Sequence, residues 1–583
     1  MSRRFVPIFT MIVFCMTALS SRAENGSYDG TFGWPLQQRP SKVLVCSGEG
    51  LAAGENMLLE SLSGLAAKAV NEGRWNTMVW IKTSSPDYKY LYEKSVEALG
   101  LAATDIEEIS LWDLVDKMRK KRLVKGYVLY DADQTEGPLY AWREGIDCSS
   151  NVATVYCSLL DGMLIERNLQ EKAKSHHLRL LKDVKGETME ECFHKNKSKL
   201  NNDSAIGIDP KVSNCRDIAI AQKLMVYYGT GKFYNEVLEW VRPLSPIMGW
   251  NCGNEDEFTE PISLWGHYNT ASNWCLNLPF LSAAGRYVEL KKLPQFNPAG
   301  LEYDNDKAYH TVMMSDGDNL QWVMGDFSRN PLYFGNENRS ETNMSWTLCA
   351  TNVSVMSPLS WNYLVENSHS GETFVEYGGG YQYPDKFAQN RPNRKELLRE
   401  FAKRLNYHFN KLGITVFGCI CKDARGADAL EAFQIYAEEI ENLAGILPVQ
   451  YYPYELGGEV LWVNDKDGNS IPVITARYCI WEKTLGREFA GTPDYISAMI
   501  NRDVMAGRFS NVMPLSWTIV NAWSGFEEES KAPYYPNKGC NVLMNIKSTL
   551  RDEVQIIPAE ELVWRTRMRY NPEQTQNILN EIQ

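Results

Sequence analysis

From Lys307 to Ile557 the sequence repeats one phrase: a short unbroken apolar run, a polar or glycine-rich break, then a helical period. The apolar runs fall at Lys307–Met314, Ser345–Ala350, Thr373–Glu376, Thr415–Ile420, Val449–Tyr451, Pro472–Tyr478, 511–521 and Val554–Ile557. Helical periodicity fills most intervals and is clearest over Arg394–Leu412 and Ala427–Leu443. A strand that is apolar on both faces must be covered on both. A helix between successive strands supplies that cover and returns the chain for parallel pairing. Seven or eight such units predict an α/β architecture whose C-terminal part, residues 296–583, is a (β/α) barrel. In parallel folds the carboxyl ends of strands face the site. That rule singles out Asp316 and Asp318 of SDGDN, then Glu376, Asp423, Glu455, Arg477, Asn521 and Trp523.

A chain of 583 residues exceeds one core and is expected to hold two to four domains. Ahead of the barrel, looser strand–helix alternation predicts small α/β domains, the first over residues 24–140. A second region, 141–295, is expected to contain a helix over Asn151–Leu169, a polar linker over 172–209 and a helix over Asn214–Tyr228. It closes with two aromatic-rich segments, PIMGWNCGNEDEF (246–258) and ISLWGHYNTASNWCLNLPF, that satisfy few helix or strand rules and read as loops. They are expected to fold over the barrel mouth and bring Glu255 or Glu257, with Trp265, beside Asp316 and Tyr381. An acidic strand end at Asp131 and Asp133 reads as a solvated loop, with metal binding as its alternative.

Residues 1–23 have the form of a signal peptide. Arg3 and Arg4 precede the apolar stretch Phe5–Leu19, and small residues at Ser21 and Ala23 allow cleavage after Ala23. The protein is expected to be exported, to the periplasm or beyond. No later segment reaches the roughly 18 apolar residues of a membrane span, so none is expected after signal removal. A net charge of −13 without long Lys/Arg runs argues against nucleic acid as a partner. The cysteines other than Cys15 are scattered, with no CxxC. The compartment permits a disulfide, with Cys148–Cys157 and Cys192–Cys215 as candidates.

One heptapeptide stands apart. GGGYQYP (378–384) follows the apolar run at 373–377 and precedes a charged helix. Glycines permit positive φ and close backbone approach, and proline stiffens the turn. Gly380 is thus expected to admit a ligand, while Tyr381 and Tyr383 stack on a sugar or bond its hydroxyls. With SDGDNLQW, GWNCGNEDEF, SLWGHYNTASNW and NVMPLSWTIVNAW in order, the chain resembles the GxGYxYP family, to which glycoside hydrolysis is ascribed. The resemblance runs from about residue 40 to about 570 and implies small α/β N-terminal domains before a β/α barrel. Glu376-Tyr377 stands where the family pattern has small residues.

Glycoside hydrolysis ordinarily needs two carboxyl groups, about 5–5.5 Å apart for retention and 6.5–9.5 Å for inversion. Asp316 and Asp318 are candidates for one, and Glu376, Glu255 or Glu257 for the other. Asn319, Trp322, Gly380, Tyr381, Tyr383, Trp265, Arg477 and Trp523 complete the expected carbohydrate contacts. No cofactor is expected. None of the seven histidines makes the HxxxH spacing of a metal-dependent deacetylase, and no GxSxG elbow occurs. The metal alternative is a carboxylate-only Ca²⁺ or Mg²⁺ site at Asp316/Asp318. The functional alternative to a hydrolase is a non-catalytic glycan-binding protein on the same scaffold.

Overall fold

The computed structural model describes residues 34, 36–506, 515–526 and 533–582. The expected signal peptide and the start of the 511–521 run lie outside them. Three small parallel sheets precede a large one. The first contains β1 (Lys42–Ser47), β2 (Thr77–Lys82) and β3 (Ile106–Glu108) in the order β2-β1-β3. The second contains β4 (Gly126–Tyr130), β5 (Gly162–Glu166) and β6 (Leu180–Asp183) in the order β5-β4-β6. The third contains β7 (Ala205–Ile208), β8 (Met225–Tyr227), β9 (Pro246–Trp250) and β10 (Tyr268–Thr270) in the order β10-β9-β7-β8.

The large sheet is built from β11 (Ala308–Met314), β12 (Ser345–Leu348), β13 (Thr373–Tyr377), β14 (Val416–Cys421), β15 (Gly445–Gln450), β16 (Val460–Asn464), β17 (Ser470–Ile474), β18 (Tyr478–Ile480), β19 (Ala490–Gly491), β20 (Leu515–Val520) and β21 (Val554–Ile556). Its order is β16-β17-β15-β14-β13-β12-β11-β20-β18-β19, with β21 also paired to β11. Its ladders are parallel except for the β16–β17 hairpin. All seven residues of β11 are buried, as a strand covered on both faces requires. The outcome is a mixed α/β fold with a curled half-barrel sheet, and its ladder path is open. The expected run over Pro472–Tyr478 is divided: β17 pairs with β15, while β18 pairs with β20 after a break at Thr475–Arg477.

Several N-terminal expectations are corrected. The helix expected over Asn151–Leu169 ends at Leu160. Asp161 then turns left-handed at φ 53°, and the chain continues into β5. Lys68, Arg74 and Lys125 all converge on the Asp161 carboxylate and anchor the turn. The expected linker over 172–209 contains β6, a helix over Met189–Asn196 and β7. That helix starts in a capping box, with Glu191 N donating to Thr188 Oγ1 at 3.1 Å and Thr188 N to Glu191 Oε2 at 3.0 Å. The Asn214–Tyr228 segment is a helix only over Arg216–Gln222, after which Lys223 at φ 56° turns the chain into β8. The two aromatic segments are ordered as β9, a helix over Glu255–Leu264, β10 and a helix over Leu278–Gly285.

All twelve described cysteines are free. Cys148 caps the helix that carries Cys157 nine residues on, a rise of about 14 Å that no disulfide spans. Cys192 Sγ lies by Asn196, whereas Cys215 Sγ approaches Ser272 O, so the second candidate pair is not formed either. No described helix is long and apolar enough to cross a membrane.

Candidate active site

The SDGDN loop leaves the end of β11 and crosses the end of β12. Gly317 N donates to Thr347 Oγ1 at 2.9 Å, and Cys349 N donates to Gly317 O at 3.1 Å. A Cβ at Gly317 would stand 1.6 Å from Thr347 O, so only glycine lets the two backbones touch. Asp316, just before it, sits at φ 69°, a left-handed conformation that is costly for a non-glycine residue and recurs at functional sites. The turn leaves the Asp316 and Asp318 side chains half-buried in one recess.

The two aspartates have different surroundings. Asp316 accepts hydrogen bonds from Ser315 Oγ, Asn521 Nδ2 (3.3 Å), Ala522 N (3.3 Å) and the Trp523 indole. Burial still lifts its carboxyl above the usual range, against those donors. Among the described residues, Asp318 accepts only from its own backbone N–H. Burial, then the charges of Asp316 and Glu255, push it far up. Glu255 opens the Glu255–Leu264 helix and is half-buried. Burial raises it to about 7, partly offset by a hydrogen bond from the Tyr381 hydroxyl, with Asp316 adding to the rise. None of the three carboxylates makes an ion pair among the described residues, and the cation acting on Glu255 is the exposed Lys483.

GGGYQYP joins the two halves of the recess. Gly378, Gly379 and Gly380 take φ of 80°, 70° and 117°. Tyr381 N donates to Asn269 O at 2.9 Å and Asn269 N to Tyr381 O at 2.8 Å, while Tyr383 N donates to Ser263 Oγ at 2.9 Å. The 249–275 segment therefore lies against the loop at the carboxyl end of β13. Tyr381 and Tyr383 are buried, their rings edge to face and their hydroxyls 3.3 Å apart. They present no open face for stacking. Their contribution to the recess is polar, through the hydroxyl that Tyr381 gives to Glu255.

The other expected residues separate into those at the recess and those outside it. Trp523 is 37% exposed and stacks edge-on against buried Trp322, which packs among Phe327 and Tyr333. Asn319 caps the Leu320–Gly325 helix, its buried Oδ1 without a partner among the described residues. Glu257 accepts from Asn254 N as a helix cap. Trp265 sits at the other end of its helix, about 15 Å along the axis from Glu255. There it bonds Asn235 and lies under Arg391. Arg477 is buried and tied to Asp503 (2.8 Å) and Gly457 O (2.7 Å).

Glu376 is fully buried, and its oxygens accept from Thr351 N (2.8 Å), Thr351 Oγ1 (3.0 Å) and Gly379 N (3.1 Å). These bonds tie the Ala350–Met356 helix to the glycine turn. Burial raises Glu376 to about 7, so the native state holds its proton where the unfolded chain releases it near pH 4.3. The resulting stabilisation is complete below the unfolded value and lost as pH rises through about 7. Wild type is therefore expected to lose about 3 kcal/mol more stability between pH 4 and pH 8 than Glu376→Gln. Urea unfolding of both at the two pH values checks this, and parallel losses would refute it.

Residues that sequence reasoning missed are Tyr454, Trp481 and Lys483. Burial raises the Tyr454 hydroxyl, and the charges of nearby Glu255, Asp316 and Asp318 add to the rise. Trp481 packs edge-on against it at 5.4 Å, with Tyr452 beyond. The sequence carries a signal for them, since YYPYE follows β15 at its carboxyl end; the strand-end rule selects Glu455 of that stretch. Its Oε1 accepts from Arg487.

Residues 306–523 match the GxGYxYP putative glycoside hydrolase C-terminal domain, and residues 124–200 match the GxGYxYP_N second domain. Among solved structures, a putative hydrolase from Bacteroides thetaiotaomicron VPI-5482 aligns with a TM-score of 0.75 at 20% identity, over 94% of this chain and 98% of that one. At that identity the likeness is one of fold. No curated protein matches. The two domain matches, one on the β4–β6 sheet and one on the large sheet that carries SDGDN and GGGYQYP, make this chain a member of the GxGYxYP family.

Proposed function

We propose that the protein is an exported glycoside hydrolase whose reaction centre is the recess of Asp316, Asp318 and Glu255. The observation that carries this reading is the meeting of three carboxyl groups, from two distant segments, in one partly open recess with no ion-paired cation among the described residues. Asp316 collects donors that favour its ionised form, which suits a nucleophile or base. Asp318 has just its own backbone N–H as a donor among the described residues and faces two negative neighbours, which suits the proton-bearing acid. Glu255, held by Tyr381, tunes Asp318 through its charge. Glu376 is bonded on both oxygens and acts as a positioning residue beneath the loop. The family's ascribed activity supports the substrate class.

The same proposal includes export after loss of residues 1–23 and the domain division at about 140 and 295. It also includes closure of the half-barrel into a ring. Residues 470–480 bond β15 at one end and β20 at the other, and Arg477 N donates to Trp517 O at 3.0 Å in the break between them. That arrangement supports one interrupted strand closing the circle.

The test is hydrolysis of a panel of aryl glycosides and neutral oligosaccharides, with the pH dependence of kcat/KM for any substrate cleaved. A bell-shaped profile is expected, its alkaline limb set by loss of the acid's proton. Glu255→Gln removes a charge that raises Asp318 and should move that limb to lower pH, by about one unit or less. A panel without turnover, or a limb moving to higher pH, would count against the assignment.

A further inference from the structure

Two tryptophans outside the recess are held out to solvent by a costly arrangement. Trp142 is 61% exposed and Trp274 52%. Single exposed apolar residues need no explanation, but these two flank one side chain, Tyr140. Trp142 follows it by two residues, and the Trp274 indole and Asn273 both hydrogen-bond its hydroxyl. Tyr140 itself takes a left-handed φ of 65°. Its N–H donates to Asp209 Oδ2, and Asp209 with Asp133 clamps buried Arg143 one residue beyond Trp142. The Trp142 ring lies on Gly229, where a Cβ would stand 3.1 Å from Trp142 Cζ3, and stacks on Tyr228 at an interplanar angle of 21°. A buried ion-pair network, backbone strain and a bare glycine thus hold Trp142, while the Tyr140 hydroxyl and Gln321 hold Trp274, and both side chains stay exposed.

Hydrogen bonds tie this platform to the two segments that carry the carboxylates. Tyr140 O accepts from Gly253 N at 2.9 Å, two residues before Glu255. On the other flank Trp274 N donates to Gln321 Oε1 at 2.7 Å, three residues after Asp318, and Gln321 N returns a bond to Ala271 O. Each tie spans about 7–10 Å of chain from a carboxylate.

We propose that Trp142 and Trp274 form distal subsites for a neutral oligosaccharide chain leading out of the recess, so that the substrate is a glycan chain and not a terminal sugar or disaccharide. This rests on the glycoside reading of the recess. Flat indoles match the apolar C–H face of a sugar ring at low entropic cost, and binding at remote units is available for orientation at the reacting bond. Anionic chains are disfavoured by the three carboxyls and the net charge of −13.

The test is calorimetric titration of the full-length Asp318→Asn protein, with and without Trp142→Ala/Trp274→Ala. The probes are hexaoses and bioses of the gluco-, manno-, xylo-, galacto- and N-acetylglucosamine series. One hexaose or more is expected to bind at least tenfold tighter than its biose. The double substitution should cut that advantage below threefold, and Trp142→Phe/Trp274→Phe should restore most of it. Equal melting temperatures establish that the variants are folded. An advantage that survives loss of both indoles, or no hexaose outbinding its biose, overturns the proposal. If binding depends on the indoles but wild type cleaves nothing, the subsites stand and the hydrolase reading falls.

Discussion

Asp318→Asn is expected to lower kcat by about 10³-fold on glycosides with poor leaving groups while leaving the Kd of an uncleaved analogue within threefold. The amide keeps the volume and loses the proton that the departing oxygen needs. A dinitrophenolate departs without protonation, so on such a substrate Asp318→Asn should retain most of the wild-type rate. Asp316→Asn should behave otherwise. It removes the carboxylate that Ser315, Asn521, Ala522 and Trp523 stabilise, and no leaving group repairs that loss. If both variants respond alike to the leaving group, or if Asp318→Asn turns over normally, the division of roles is wrong. Stopped-flow and steady-state rates on paired aryl glycosides decide it.

Gly380→Ala is expected to cost about 3–5 kcal/mol of folding stability, the largest loss from adding one methyl group at this loop. Two causes add. The backbone sits at φ 117°, and the new Cβ would meet Tyr268 Cδ2 at 2.3 Å and Asn352 Nδ2 at 2.9 Å. Tyr268 lies in β10, packed against Phe401 of the long 394–412 helix, so it has no room to retreat. Gly457→Ala is the control, since Gly457 has φ 79° and nothing within 4 Å. It should cost about 1 kcal/mol for conformation alone. Similar unfolding midpoints for the two variants would show that steric crowding at the loop has been overstated.

The legibility of the fold followed its physical contrast. Arg394–Leu412 was readable to the residue because a long amphipathic period ends in Gly413, left-handed at φ 79°. β11 was readable because seven buried residues stop abruptly at a polar turn. β5 was not, because GMLIE continues the apolar texture of the helix before it and only the left-handed Asp161 divides them. The Met189–Asn196 helix was hidden by polar composition, although its Thr188/Glu191 cap was in plain view.

At the recess, the strand-end rule found Asp316 and Asp318. It also selected Arg477, whose partner Asp503 lies in a helix further along the chain. What a tyrosine on a stiff loop does cannot be read locally. Asn269 and Ser263 hold the backbone of Tyr381 and Tyr383, the Tyr383 ring packs against Tyr451, and both side chains are buried by contacts set by segments far away in sequence.

The paired backbone bonds between Asn269 and Tyr381 have a mechanical consequence. They rivet the β7–β10 sheet to the half-barrel beside the carboxylates, and Tyr383 N on Ser263 adds a second rivet. Two lobes fastened at the pivot cannot open like a jaw without tearing main-chain hydrogen bonds. Entry to the recess is therefore left to side chains and surface turns, and the walls keep one shape as a ligand enters and leaves. A recess of this kind discriminates among ligands by fit to a fixed mould, not by closing around them.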